Sequence, residues 1–545
     1  MADLMILNAN IQTMDIARPQ AQAMLIRDGR IVMLGSSDQV RSCERAGAQA
    51  RGIDAGGRLV LPGFQDAHVH LMDGGTDLIQ TAWLGDATTI EGLQSALATH
   101  AAQDHSALVM GGGWRSGYFG DANLTRFVLD AVVADRPCVV YDDSAHNACL
   151  NSAACHIAGI TRDTPDPVNG HIVRDAAGDP TGMLHEDAIP WARERLPATT
   201  DATYLLGARA GQAHANSLGF TGVLDPSITG YQERAYAVLA ESGGMTLRVA
   251  GAAKVDPSDT AQSVVTRLTA LRRAHLTEYF QIQSAKFFLD GVLENRTAVM
   301  LAPYTDSGGG GNARLMFSPL QIAALFTALD AARFQIHVHV IGDGATRAAL
   351  DGFAVALLAN GPWPGLHQLA HLQVVDPADI PRIAALAAMA NIQPLWACHD
   401  PGGVDPTQAM IGPGRAANTY AFRQMLGAGA TYCLSSDWPV TTMNPFDIIE
   451  TAVTRQPAHD HGATPAFFPN ERLTVAEAVL GYTAHAAAAC WRGHFTGRLM
   501  PGYSADLIML DRDILTCDPY AISDTKVMLT LFQGRDVYRH PHFEG

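Results

Sequence analysis

Short apolar runs alternate with stretches rich in alanine and leucine through the middle of the 545-residue chain. Eight of these runs have the length and composition of strands. They are Leu59–His70, Phe220–Asp225, Leu247–Lys254, Ile282–Asp290, Gln335–Ile341, Gln368–Gln373, Ile392–Leu395 and Thr431–Asp437. Strands that alternate with helices form parallel sheets, and eight such units can close into a barrel. The pattern therefore predicts an α/β fold built on a (β/α)8 barrel of the TIM type.

Two further features of the pattern predict additions to this barrel. Both ends of the chain carry short β-rich runs between turn residues, which indicates one β-sandwich completed by both termini. The first interval, from His70 to Phe220, is much longer than the others and holds strand-like and helical runs of its own. We therefore expect an inserted α+β subdomain that leaves barrel strand 1 at the rim where barrel active sites lie. The expected ranges are 1–58 and 486–545 for the sandwich, 59–70 and 205–485 for the barrel, and 71–204 for the insert covering the site.

Composition narrows the classes of protein that this chain can be. Apolar residues make up 48% of the sequence and charged residues 17%, which is typical of a folded globular protein. The net charge of −17, without a basic tract, argues against a nucleic-acid partner. We find no signal peptide or membrane span, and the eight scattered cysteines form no CxxC pair and indicate reduced thiols. We expect a cytoplasmic protein acting on a small molecule, with its oligomeric state, a homodimer included, left open.

Metal-binding side chains occur at the ends of the predicted strands. Side chains alternate along a strand, so His68 and His70 at the end of strand 1 should face the same way. His339 lies in strand 5, His371 in strand 6 and Asp437 at the tip of strand 8. The carboxyl ends of barrel strands meet at one mouth, and imidazole and carboxylate are ligands that catalytic zinc takes. The order of these residues therefore predicts a metal site at the mouth.

Lys286 lies inside the apolar fourth strand and is one of only three lysines in the chain. Burial favours the neutral amine, which can add carbon dioxide and become a carboxylated lysine able to bridge two metals. Arginine stays protonated and cannot react in this way. The alternative is an unmodified Lys286 that pairs with Asp290 on the same face of the strand.

Five motifs spread over nearly the whole chain resemble those of one family. They are Pro62–His70 (PGFQDAHVH), Lys286–Gly291 (KFFLDG), His339–Asp343 (HVIGD), Ser436–Val440 (SDWPV) and Gly502–Leu510 (GYSADLIML). The set resembles the amidohydrolase superfamily, and within it the family 3 branch of YtcJ-like proteins and N-substituted formamide deformylases. These motifs are specific for the family, but they do not identify a substrate.

The resemblance implies a metal-dependent hydrolase that cleaves an amide or formamide C–N bond, other than a peptide bond, of a small molecule. The implied ligands are His68, His70 and Asp437 for one metal, His339 and His371 for a second, and carboxylated Lys286 between them. Zinc is the expected metal, while other divalent metals stay open. A metal-bound hydroxide would attack the carbonyl carbon, and Asp437 would pass the proton to the leaving nitrogen.

Four further side chains are candidate substrate contacts, namely Trp114, His146, Arg415 and Trp438. Each has a structural alternative, because large aromatics usually pack in cores and arginines usually form salt bridges. Two other functions stay open. One is a mononuclear deaminase of the same superfamily, which would lack the bridging lysine and carry a glutamate where Gly342 stands. The other is a non-catalytic regulatory protein, since a fold does not guarantee activity.

Overall fold

The computed structural model describes residues 3–43, 50–104, 106–115, 124–143, 146–306, 313–401 and 403–544. The chain begins with short strands that form parts of two sheets. These first elements are β1 (Leu4–Leu7), β2 (Asn10–Gln12), β3 (Gln20–Ala21), β4 (Ala23–Arg27), β5 (Arg30–Gly35), α1 (Ser37–Arg41), β6 (Arg51–Asp54) and β7 (Leu59–Pro62).

The chain then enters the barrel and leaves it at once for a separate sheet. The entering strand is β8 (Phe64–Asp66), and α2 (Leu71–Gln80) follows it directly. The next segment holds β9 (Thr81–Trp83), α3 (Ile90–Gln103), β10 (Val109–Trp114), α4 (Arg126–Asp130), β11 (Cys138–Asp142), β12 (Asn147–Leu150), α5 (Ser152–Ala158), β13 (Gly170–Arg174), β14 (Pro180–Glu186) and α6 (Ala188–Arg193). Its six strands form one sheet with two apolar cores, one on each face.

Strands and helices alternate through the rest of the barrel. The elements are α7 (Asp201–Ser217), β15 (Phe220–Ile228), α8 (Gly230–Glu241), β16 (Arg248–Lys254), α9 (Ala261–Ala274), β17 (Phe280–Phe288), α10 (Pro319–Ala331), β18 (Gln335–Val340), α11 (Asp343–Asn360), β19 (Gln368–His371), α12 (Ile380–Ala385), β20 (Met389–Ile392), α13 (Val404–Ile411), α14 (Pro413–Ala416), α15 (Phe422–Gly427), β21 (Thr431–Leu434), α16 (Pro445–Thr454), α17 (Val475–Leu480) and α18 (Ala486–Ala489). The last strands are β22 (Leu507–Leu510), β23 (Val527–Phe532) and β24 (Arg535–Arg539).

Eight parallel strands form the barrel in the order β21-β20-β19-β18-β17-β16-β15-β8. Its edge strands β8 and β21 are joined at their carboxyl ends by backbone hydrogen bonds. Asp437 N donates to His68 O at 2.9 Å, and His70 N donates to Trp438 O at 2.9 Å. These bonds draw the edges together at the mouth, so that the segment of His68 and His70 is tied directly to Asp437. The predicted (β/α)8 barrel is confirmed.

The predicted first strand, Leu59–His70, is wrong as a single element. Residues of β7 pair with β2 and β22 in a six-stranded sheet, whereas β8 pairs with β15 in the barrel. The change of sheet occurs at Gly63, where a Cβ atom would lie 2.3 Å from Thr221 Oγ1. An apolar run shows that residues are buried, but it does not show against which sheet they pack.

The predicted seventh strand, Ile392–Leu395, is displaced by three residues. The observed strand is β20, Met389–Ile392, and a 3-10 turn follows at Pro394–Trp396. Pro394 has no N–H group to donate to a neighbouring strand, which explains why the ladder ends before it. The polar Asn391 interrupts the apolar pattern, yet it is buried and donates to Ala67 O at 2.9 Å.

The terminal strands form two packed sheets. The order is β5-β4-β1-β6 in one and β24-β23-β22-β7-β2-β3 in the other. Side chains from both, such as Ile6, Met24, Leu507 and Leu529, share one buried apolar core. The exact ranges expected for sandwich, barrel and insert stay a prediction.

Among the described residues, no helix has the length and apolar character that a membrane span requires.

Glycines bring α2 into close contact with α7 just behind the barrel mouth. A Cβ atom on Gly75 would lie 2.0 Å from Gly207 O and 2.5 Å from Gly211 N. Because α2 begins immediately after His70, this close approach helps to position the segment that carries the histidine.

We expect Gly75→Ala to lower the melting temperature, because overpacking a tight contact costs about 1–3 kcal/mol. Differential scanning calorimetry would measure the change. Gly92→Ala in α3 is the matched control, since that glycine is exposed and its nearest neighbouring atom would lie at 3.4 Å. Alanine is the better helix former, so the control should leave the melting temperature unchanged or raise it. Equal melting temperatures for Gly75→Ala and the parent would contradict the tight packing.

Candidate active site

The sequence-predicted site residues lie at the carboxyl edge of the barrel sheet. His68 and His70 follow β8, Lys286 lies in β17, His339 lies in β18, His371 ends β19, and Asp437 follows β21. All are buried except His70, whose side chain is 21% exposed. The partly exposed histidine marks the side on which the site opens.

Asp437 lies at the centre of this group. Its Oδ1 atom is 3.3 Å from His68 Nε2 and 3.4 Å from His70 Nε2. Its Oδ2 atom is 4.0 Å from His371 Nδ1. Ligand atoms of His68, His371 and Asp437 lie within 4.8 Å of one another, close enough to bind one ion. Oδ1 of Asp437 accepts no hydrogen bond from the described part of the chain.

The imidazole rings form a continuous row across the mouth. The ring centres are 4.9 Å apart for His68 and His371, and 4.5 Å apart for His339 and His371. Trp396 stacks on the outer face of His371 at 5.3 Å. These distances join five of the six predicted ligands, namely His68, His70, His339, His371 and Asp437, while the role of all six as ligands stays a prediction.

Two residues of the cluster have strained backbones. His371 and Asp437 adopt positive φ angles of 80° and 56°. A left-handed conformation at a residue other than glycine costs of the order of 1–3 kcal/mol and is concentrated at functional sites. At both residues the backbone leaves the extended conformation of a strand.

Lys286 is fully buried, and its Nζ atom has no hydrogen-bond partner within the described ranges. Nζ lies 4.5 Å from the centre of the Phe288 ring. Burial lowers the pKa of Lys286 to about 7, although Asp437 opposes the shift. A large share of the amine is therefore neutral near pH 7.

The alternative ion pair between Lys286 and Asp290 is wrong. Asp290 Oδ1 instead accepts from His339 Nδ1 at 3.2 Å. Its two oxygens also accept from the backbone N–H groups of Val299, Ile341 and Gly342 at 2.9–3.1 Å. Asp290 therefore orients the His339 ring and holds the surrounding loops.

Outer hydrogen bonds orient two more histidines. His337 Nε2 and His68 Nδ1 are 2.9 Å apart and share a hydrogen bond, while His371 Nδ1 donates to Gln393 Oε1 at 3.0 Å. Burial, reinforced by nearby cations, holds the pKa of His68 and His371 well below the usual range. Both rings are therefore neutral at pH 7 and keep a lone pair for a metal.

Two of the candidate substrate contacts lie near the cluster. Trp438 adjoins Asp437 and packs its ring so closely on α2 that a Cβ atom at Gly74 would lie 2.5 Å away. His146 comes from the inserted segment, and its Nδ1 donates to Glu186 Oε2 at 2.7 Å. Burial lowers the pKa of His339, and the charge of His146 lowers it further. Their roles in substrate binding stay predictions.

The surroundings of the other two candidates give no support for a substrate contact. Trp114 is fully buried in the apolar core beneath α3 and α4. Arg415 is committed to backbone carbonyls, donating to Ile411 O at 2.8 Å, Ala302 O at 2.5 Å and Pro303 O at 2.8 Å. It links α13 to the loop after β17, which differs from the expected salt bridge.

Three buried or half-buried residues of the site are missing from the sequence-based set. Gln393 follows β20 and falls inside the predicted strand Ile392–Leu395, and its uncharged side chain gives no signal of a functional role. Glu186 ends β14 in the inserted segment, whose packing the sequence does not show. Asp66 accepts from His68 N at 3.1 Å, and burial raises its pKa to about 7. Its position in the PGFQDAHVH motif was the one available signal.

Known proteins are similar to this sequence over nearly its full length. The YtcJ protein of Bacillus subtilis (strain 168) is 27% identical, over 97% of this chain and 98% of its own. The N-substituted formamide deformylase of Arthrobacter pascens is 28% identical, over 98% of each chain.

The fold is also shared with a solved structure. The crystal structure of an uncharacterized metal-dependent hydrolase from Pyrococcus furiosus superposes with a TM-score of 0.75 and 25% sequence identity, covering 94% of this chain and all of that one. The sequence profile described as "Amidohydrolase family" matches residues 51–538, which include the barrel, the inserted sheet and the last strands. This chain belongs to the amidohydrolase family.

Proposed function

We propose that this protein hydrolyses an amide or formamide C–N bond of a small molecule at the barrel mouth, with zinc as the first choice of metal. Membership of the amidohydrolase family supports hydrolysis in general. The finer choice of a C–N bond is supported by the full-length similarity to a formamide deformylase. The convergence of histidine, lysine and aspartate at one mouth carries the proposal.

The donor atoms in the mouth fit a divalent metal. Lys286 Nζ and Asp437 Oδ1 are buried without hydrogen-bond partners among the described residues, an arrangement that costs several kcal/mol unless something binds them. We assign His68, His70 and Asp437 to one ion, His339 and His371 to a second, and Lys286 to the position between. Divalent ions bound there would lower the pKa of a water molecule and polarise a substrate carbonyl.

Carboxylation would convert Lys286 into a bridging ligand. The lone pair of neutral Nζ forms a bond to the carbon of carbon dioxide, one C=O electron pair moves to oxygen, and the nitrogen proton leaves to solvent. The product is a carboxylate on a long side chain, which suits two cations as a neutral amine does not. The absence of a described partner for Nζ leaves the atom free for this reaction.

Asp437 is the residue we assign to proton transfer. Its Oδ1 atom faces two imidazoles and accepts no hydrogen bond from the described chain, so it can take a proton from an attacking water. The same atom can then deliver that proton to the leaving nitrogen, which departs poorly as an anion. His70 is the partly exposed member of the group, so a substrate would enter on its side.

A polar group of the inserted segment would face this entrance. Glu186 binds His146 through Oε2, and its Oε1 accepts from Thr297 Oγ1 at 3.0 Å and Asn295 Nδ2 at 3.3 Å. The carboxylate therefore links the insert to the loop after β17. We assign His146 to contact with the polar end of the substrate.

The geometry argues against the mononuclear deaminase. That reading needs a glutamate at position 342, but a Cβ atom on Gly342 would lie 2.1 Å from Val299 O. Gly342 N also donates to Asp290 Oδ2 at 2.9 Å, which holds the backbone in place. A larger residue at this position would displace the loop that orients His339.

Chelation should abolish hydrolysis of N-formyl and N-acyl amines, because every proposed step occurs between metal-binding side chains. Release of the free amine, followed with an amine-reactive fluorophore, is the measurement. Zinc added back should restore the rate. Asp437→Asn should lower kcat by about 10²–10⁴-fold, the usual contribution of a proton-transfer group. An undiminished rate in protein shown to be metal-free would disprove the proposed function.

Lys286→Ala should lose activity, and short carboxylic acids such as acetate should restore part of it by standing in for the carboxylated side chain. Lys286→Arg should not be restored, since its guanidinium stays charged and fills the space. Lys254→Ala is the matched control, because Lys254 pairs with Lys286 in the neighbouring strand but is exposed. Full activity of Lys286→Ala without added acid would rule out the bridging role.

Asp290→Asn should weaken metal binding by about 10–100-fold, because residues that orient a metal ligand typically contribute that much. Metal content after dialysis against graded zinc buffers would measure it. Asp175→Asn is the control, since that carboxylate also accepts two backbone N–H groups but lies in a surface turn. Wild-type affinity in Asp290→Asn would show that His339 needs no orienting partner.

A further inference from the structure

A second cavity opens at the other end of the barrel, away from the candidate active site. We call it the basal cavity; it has a volume of about 450 Å³, and its walls include Arg30, Glu278, Gln281, Trp491, Arg492 and His494. Gln281 lies near the start of β17, five residues before Lys286. At roughly 3.3 Å per residue, the two positions are about 16 Å apart along the strand.

Two residues on the wall of the basal cavity carry buried hydrogen-bond donors that lack acceptors among the described residues. Arg492 is 2% exposed, and its Nη2 donates to Val249 O at 3.1 Å, but Nη1 has no partner among the described residues. The indole Nε1 of Trp491 is likewise buried without an acceptor there. Buried N–H donors in proteins nearly always have a hydrogen-bond acceptor. Two unpaired donors in residues of one cavity wall therefore indicate a ligand that accepts hydrogen bonds.

The nearby carboxylates form no ion pair with Arg492. Asp506 Oδ2 pairs with Arg248 Nη1 at 2.5 Å, and Glu278 Oε1 pairs with Arg248 Nη2 at 2.8 Å. Arg492 and Arg30 form no ion pair within the described parts of the chain. Both acids are thus occupied by Arg248, and two guanidinium groups on the cavity wall keep their charge.

We propose that the basal cavity binds a small oxyanion of the phosphate type, held by Arg492 and Arg30. A cation would be repelled by both guanidinium groups, and a neutral apolar molecule would leave the orphan donors unsatisfied. Oxyanions of phosphate and sulfate accept several hydrogen bonds at once, which matches the fork of an arginine and the single donor of an indole.

Occupancy of the basal cavity should stabilise the fold. Burial, reinforced by repulsion from Arg248, lowers the pKa of Arg492 to about 9, so the charged form is poorly stabilised without a ligand. The cavity walls come from β17, from the segment after α18 and, through Arg30, from β5. An anion held among them would join the barrel to the terminal sheets.

Differential scanning fluorimetry in inorganic phosphate tests the proposal on the full-length metal-loaded protein. Against chloride at equal ionic strength, 10 mM phosphate or sulfate should raise the melting temperature by roughly 2 °C or more. Arg492→Met and Arg30→Gln should each lose most of this rise. Arg30 is exposed, so its variant should fold even if the buried substitution does not. Arg209→Gln, which removes an exposed charge from α7, should keep it.

Phosphate could also bind at the proposed metal centre, so Asp437→Asn serves as a second control. We expect the rise to persist in Asp437→Asn and to disappear in Arg30→Gln. A rise lost in Asp437→Asn and kept in Arg30→Gln would place the anion at the metal centre and overturn the proposal. An equal rise in chloride, or none in phosphate and sulfate, would overturn it as well.

Discussion

The candidate site depends on the burial of a lysine amine and an aspartate oxygen that no described group satisfies. Lys286 Nζ and Asp437 Oδ1 lie in the barrel mouth with five histidines around them. Such burial is unfavourable by several kcal/mol in the absence of a binding partner. The surrounding structure offsets that cost through backbone bonds between the edge strands and the four hydrogen bonds accepted by Asp290. The fold therefore maintains metal-ligand atoms whose hydrogen bonds the described residues do not complete.

Strand order made most of this site predictable from the sequence. Each candidate ligand lies at or near the end of an apolar run, and parallel barrel strands all end at the same face. The residues that orient the ligands were harder to find. Gln393, which accepts from His371, lies just beyond a strand that ends before Pro394. Glu186 orients His146, a candidate substrate contact, and also accepts from Thr297 Oγ1 of the loop after β17. Their contacts join positions that are distant in the chain, so the local pattern of polar and apolar residues does not predict them.

The two ends of the barrel have different chemistry. The carboxyl end gathers the neutral imidazoles of His68 and His371, a lysine and an aspartate. The amino end places Arg492 and Arg30 on a cavity whose acidic wall residue, Glu278, pairs with Arg248. The insert contacts the loop after β17 through Glu186, which also accepts from His146. The terminal sheets meet the second through Arg248 and Asp506. Substrate choice would then depend on the insert, and stability on the packing beneath the barrel.

Anomalous diffraction from crystals grown with zinc tests the central claim most directly. The account predicts two peaks in the mouth, one about 2.0–2.2 Å from nitrogen and oxygen atoms of His68, His70 and Asp437, the other beside His339 and His371. Electron density should extend beyond Lys286 Nζ as a planar carboxyl group between the peaks. A mouth without any anomalous peak, in protein that retains zinc elsewhere, would contradict it.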